Sequence, residues 1–123
     1  MELNYLDFDY VEDTEGVGTF DAMAATWPEQ APAVHAEIAL VLGWACAAFA
    51  QARAPLDEGG EWDYDLQGHQ EVTVPESLEY DPVGGRVRVR PGPAGRARHV
   101  VTFSITGTAE FCAALGRRFG LQH

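Results

Sequence analysis

From Ile38 to Ala50 thirteen consecutive residues carry no charge, and this run sits inside a helical pattern extending from about Pro32 to Arg53. Val34, Ile38, Val41, Ala45 and Phe49 recur at helical spacing, with Leu42 and Ala48 beside them, and Pro32 suits a first-turn position. The opposite side is no more polar, since Ala39, Gly43, Ala47 and Ala50 are small and Leu40 and Trp44 are apolar. A helix that is apolar nearly all round has to be covered on both sides. One side can lie on a sheet; the other needs a second helix or another subunit. Crossing a bilayer takes about twenty apolar residues, so the run is read as a buried helix, and no membrane partner is expected.

The rest of the chain alternates. Leu6, Phe8 and Tyr10 interleave with Asp7 and Asp9 as in a half-buried strand, and Asp13 to Gly18 breaks the pattern as a loop. Thr19 suits an N-cap for a short helix, Phe20 to Thr26, stopped by Pro28. Trp62, Tyr64 and Leu66 alternate with Asp63, Asp65 and Gln67, with Gly68 placed for a bulge before Val72 and Val74. A short strand from Leu78 to Tyr80, a turn at Asp81-Pro82-Val83-Gly84-Gly85 and a strand from Arg86 to Arg90 follow. After a second turn, Val101, Phe103 and Ile105 share one strand face, and Thr108 and Gly120 are placed to cap a last helix. The expected fold is α+β: an antiparallel meander of four to five strands, with the long apolar helix and the C-terminal helix packed on one face, as a single domain over residues 1–123.

Charge along this chain is sorted. Residues 1–85 hold 18 of the 19 acidic side chains and one arginine, −17 in all; residues 86–123 hold one acid and seven arginines, +6, and there is no lysine. Sorting of this kind has to be answered in space, either by the basic strands pairing with acidic ones or by a partner that supplies cations. The helix–strands–helix order is superficially similar to double-stranded-RNA-binding domains, but a chain at net −11 is repelled by phosphate, so no nucleic acid partner is expected. No basic and then apolar leader opens the chain, and Cys46 and Cys112 stand apart among alanines as small reduced core residues, which together read as cytoplasmic. Arginine without lysine, with abundant Ala and Gly, is associated with GC-rich bacterial genomes.

No catalytic or cofactor motif is present, so the catalytic residues, if any, are unknown from the sequence. The density of carboxylates at Asp9, Glu12, Asp13, Glu15 and Asp21 is compatible with a divalent cation, with Asp13, Glu15 and Asp21 as ligands, although the EF-hand spacing fails at Val11 and Ala22. The carboxylates of Asp7 and Asp9 with those of Asp63 and Asp65 would crowd one sheet face if the two strands were neighbours, with Arg86, Arg88 and Arg90 spaced to lie opposite. His35, His69 and His99 show no ligand spacing. Trp27 and Trp62 border loops, where an indole can face a partner, and with Asp63 and Asp65 they form the expected partner or ligand surface. The expected function is non-catalytic binding by a homodimer joined through Ala39, Gly43, Ala47 and Ala50, with a basic protein as a candidate partner and without a cofactor. The alternative is a carboxylate- or divalent-metal-dependent hydrolase or lyase using the 9–21 acidic loop.

Overall fold

The computed structural model describes residues 3–123. In chain order the elements are β1 (Asp9–Glu12), β2 (Gly18–Thr26), α1 (Ala31–Ala48), a 3-10 turn at Leu56–Glu58, β3 (Trp62–Glu71), β4 (Glu76–Asp81), β5 (Arg86–Pro91), β6 (Arg98–Gly107) and α2 (Ala109–Phe119). This is an α+β fold with two antiparallel sheets. One has four strands in the order β1-β2-β6-β3, and the other is the β4–β5 hairpin alone.

The core lies on one face of the larger sheet. Phe20, Ala22 and Ala24 from β2, Phe103 and Ile105 from β6 and Trp62 from β3 join Val34, Ile38, Val41 and Ala45 of α1 and Phe111, Cys112, Leu115 and Phe119 of α2 in one buried cluster. Trp62 is its largest member. Its ring stacks on Phe111 with centroids 5.5 Å apart, and its indole N–H donates to the Phe49 carbonyl at 3.3 Å. Fully burying an aromatic side chain of this size contributes roughly 1.5–3 kcal/mol.

The segment expected to form a helix at Phe20–Thr26 is instead β2, a central strand between β1 and β6. Its burial alternates strictly, with Phe20, Ala22, Ala24 and Thr26 inward and Asp21, Met23 and Ala25 outward. Alanine favours helices intrinsically, but tertiary context overrides so weak a preference. The first strand is also displaced. β1 begins at Asp9, while Leu6 and Phe8 belong to an unpaired segment packed on the core. α1 ends at Ala48 rather than near Arg53, and the chain turns through Gln51 in a left-handed conformation (φ 62°), so Ala50 lies just past the helix.

Gly68 makes no bulge, because β3 and β6 pair without interruption from Trp62↔Gly107 to Glu71↔Arg98. The last strand therefore returns to β3 and not to β5, and the β4–β5 hairpin continues the β3–β6 ladder outward. Pro75, Pro91 and Pro93 lack the N–H a ladder needs and separate the two halves. Two bonds carry the pairing across the break, Gly92 N to Pro75 O at 2.7 Å and Gly95 N to Thr73 O at 2.8 Å. α2 is capped as its sequence implies, with Thr108 Oγ1 accepting from Phe111 N at 3.3 Å and Gly120 left-handed at φ 67°.

Candidate functional site

The carboxylates of the acidic loop have separate surroundings. Asp13 uses one carboxylate oxygen to hold its own turn, accepting from Glu15 N at 2.8 Å and Val17 N at 2.9 Å. Glu15 is exposed, and Asp21 stands on the outward face of β2, where Ser104 Oγ donates to its carboxylate. Among the described residues no three His, Cys, Asp or Glu side chains come together as a set that could hold a metal ion.

The two acidic strands are not neighbours either, because β1 and β3 form opposite edges of the sheet. The arrangement that does arise was not visible in the strand spacing. Asp9 pairs with Asp21, Asp21 with Ser104 and Ser104 with Asp65, so one register row crosses all four strands with three carboxylates and a serine. The next row adds a hydroxyl pair, Thr19 to Thr106 at 2.9 Å, and ends at Asp63. This outward face has no helix over it, since both helices pack on the other side. The arginines expected opposite this row are elsewhere. Arg86 and Arg88 approach Asp81 of their own hairpin at 3.9 and 3.0 Å, and Asp63 is taken by Arg53 at 3.2 Å. Asp65 accepts from Gln67 Nε2 at 2.9 Å, and neither it nor Asp9 nor Asp21 forms an ion pair among the described residues.

The two tryptophans separate. Trp62 does not face a partner, because the Ala52–Ala54 segment and α2 close over it and leave it fully buried. Trp27 remains accessible and has two guanidinium groups against its ring, Arg96 4.8 Å and Arg98 5.1 Å from the centroid. Arg96 also binds Glu29, and its guanidinium holds that carboxyl below its ordinary pKa. His35, His69 and His99 border one recess beside Gly68 and Val101, and the His69 ring nitrogen lies 3.0 Å from Glu71 Oε1.

α1 presents a different kind of surface. Its buried stripe is Val34, Ile38, Val41 and Ala45; Ala39, Leu40, Gly43 and Ala47 point outward, with Ala50 following beyond the helix end. Leu40 is 46% exposed. The one carboxylate of the helix, Glu37, is turned into the protein, so the outward face carries no acidic or lysine/arginine charge. By length and composition α1 is apolar enough to cross a membrane, but a third of it is buried in the fold. Cys46 is exposed beside this face; Cys112 is buried, and burial pushes its thiol pKa up. Comparison with protein-family models, with curated proteins and with solved structures gave no match.

Proposed function

We propose that this protein acts by binding, as a cytoplasmic homodimer whose subunits meet along the outward face of α1. One observation carries the reading: a regular helix on the surface exposes Ala39, Leu40, Gly43 and Ala47 with no charged neighbour on that face. Surface helices ordinarily carry charged or polar residues there. Small side chains let two helix axes approach within about 8 Å, and a two-fold axis near Gly43 would bring each face against its own copy. Two free cysteines without a disulfide suit a reducing compartment.

The test is the mass in solution by light scattering at micromolar concentration. The unsubstituted protein is expected to run as two chains and Gly43→Arg as one, with the same circular dichroism. A Cβ at Gly43 meets nothing within 4 Å, so the arginine leaves the subunit fold intact. A one-chain mass for the unsubstituted protein overturns the reading.

The row Asp9, Asp21 and Asp65 supports a second reading, a basic protein partner on the open sheet face. Such association would weaken steeply with added salt, because exposed charges are screened within about 10 Å at 0.1 M ionic strength.

A further inference from the structure

β3 forms one edge of the larger sheet, ten residues from Trp62 to Glu71 before the chain passes into the β4–β5 ribbon. In an antiparallel ladder alternate residues aim their backbone groups at the neighbour and the others aim them away. Here the even-numbered residues face away from β6, since the Trp62 carbonyl accepts from Ala54 N at 3.1 Å and Tyr64 N donates to Asp63 Oδ1 at 2.9 Å. Beyond that point the outer side is open. The N–H groups of Leu66, Gly68 and Gln70 and the carbonyls of Tyr64, Leu66 and Gly68 have no partner among the described residues.

Long edges are ordinarily blunted by proline, lysine, a bulge or a covering loop. β3 has neither proline nor lysine, its pairing with β6 is uninterrupted, and the Ala52–Ala54 segment meets only its first residue. The opposite edge, β1, is four residues long. Gly68 stands in the middle of the open stretch, where the lack of a side chain lets a second backbone come closest. At the start of the stretch a recess of about 300 Å³ is lined by Pro55, Leu56, Asp63, Tyr64, Asp65 and Thr106.

Charge selects the occupant. Arg53 already pairs with Asp63 and lies over the Tyr64 ring, so the side chains left to meet a neighbour begin at Asp65. On the outward face these include Asp65 and Glu71, and neither meets an arginine among the described residues. On the helix side Leu66 is exposed, followed by Gly68. A second copy of β3, paired antiparallel about Gly68, would set Asp65 against Glu71 twice, and like charges directly opposite each other are destabilising. A strand with basic residues on one face and apolar residues on the other meets opposite charge at both ends and Leu66 between them. We infer that β3 takes an extended segment of a basic partner protein, alternating basic and apolar residues, as a fifth strand along Asp65–Glu71. This rests on the second reading above and names how that partner is held, with backbone bonds giving affinity and the carboxylates choosing the strand.

The test uses the full chain and an end-capped eight-residue peptide of alternating valine and arginine, with a control peptide methylated on every backbone nitrogen. In low salt the unmodified peptide is expected to bind and to slow amide exchange at Leu66, Gly68 and Gln70, and the control to bind about tenfold more weakly or worse. Gly68→Pro keeps the sheet, because the N–H it removes points away from β6 and a Cβ there comes no closer than 3.7 Å to the Val100 carbonyl oxygen. It is expected to weaken the unmodified peptide by about tenfold or more. Equal binding of the two peptides with unchanged exchange along β3 overturns strand addition and leaves a basic partner on the open sheet face standing. Binding of neither peptide removes both. A two-chain mass for the unsubstituted protein that falls to one chain in Gly68→Pro gives the edge to a second copy and also overturns the proposal.

Discussion

The carboxylate of Glu37 accepts the backbone N–H of Leu6 at 3.1 Å, across 31 positions of sequence. The same two oxygens accept from Asn4 N at 2.7 Å and Tyr5 N at 3.0 Å, so three consecutive amides of the unpaired N-terminal segment converge on one buried side chain of α1. No strand ladder serves these amides, and a carboxylate is the acceptor that can satisfy three donors at once. The contact fixes Leu6 in the core and sets where the chain enters β1.

Glu37→Ala therefore leaves a buried donor at Leu6 without an acceptor. The expected loss is about 1–3 kcal/mol in chemical denaturation. Amide exchange at Asn4, Tyr5 and Leu6 should accelerate before any other region opens. Unchanged protection at these three amides would show that the segment is held by its apolar contacts alone.

Trp27 anchors the base of the ribbon. Its ring meets both Arg96 and Arg98, and Arg98 also donates to the Ala25 carbonyl at 2.8 Å, tying the return strand to the end of β2. Each exposed cation–π contact is worth about 0.5–1 kcal/mol. Trp27→Ala is expected to cost about 1–2 kcal/mol in all and to change the motion of the hairpin more than the stability of the body. Nitrogen-15 relaxation should show faster motion at residues 76–91 with the four-stranded sheet unaffected. Equal relaxation in both proteins would place the anchor elsewhere.

Much of this arrangement was legible from the residues. The apolar stripe Val34, Ile38, Val41 and Ala45 could only be a helix with its back to a core, and Thr108 and Gly120 announce the two ends of α2 through chemistry that is local. β2 was not legible as a strand, because alanine at 22 and 24 is chosen for closeness of packing and looks like helix propensity when read alone. Strand order was closed for a different reason. Alternation reveals which face a residue takes and says nothing about which strand lies beside it, so the Asp9–Asp21–Ser104–Asp65 row emerges only once β6 is placed between β2 and β3. Trp62 shows the same limit: beside a glycine-rich loop an indole can face outward or be sealed by that loop, and here Phe49 and Phe111 seal it.

Acid should loosen the tip of the ribbon. The Gly84 backbone N–H and then the Arg88 guanidinium donate to Asp81 and hold its carboxyl below the ordinary 3.8. A carboxyl depressed by folding contributes stability above its unfolded pKa and loses that contribution as pH falls through the lower folded value. The window therefore lies below 3.8. Carbon-13 titration of the Asp81 carboxyl should give a midpoint under that value, with the Val83 and Gly84 amides shifting in step. In Asp81→Asn, which keeps one acceptor oxygen but loses the charge facing Arg88, the tip should be loosened at neutral pH and show no further acid transition. A midpoint at or above 3.8 would mean that the turn does not hold Asp81 in solution.

Gly43 separates the stability of a subunit from that of the dimer. It sits inside an exposed stretch of α1, where glycine costs up to about 1 kcal/mol relative to alanine, and a Cβ built there meets nothing within 4 Å. Gly43→Ala is therefore expected to raise the unfolding free energy of the isolated subunit by roughly 0.5–1 kcal/mol, measured at concentrations low enough to favour the monomer. If two copies of α1 cross at this residue, the added methyl holds the axes apart, and the dimer dissociation constant should rise in the same variant. The two effects then oppose each other, so the stabilisation seen in dilute solution shrinks or reverses as concentration increases. A gain that is the same at every concentration would place Gly43 outside the interface.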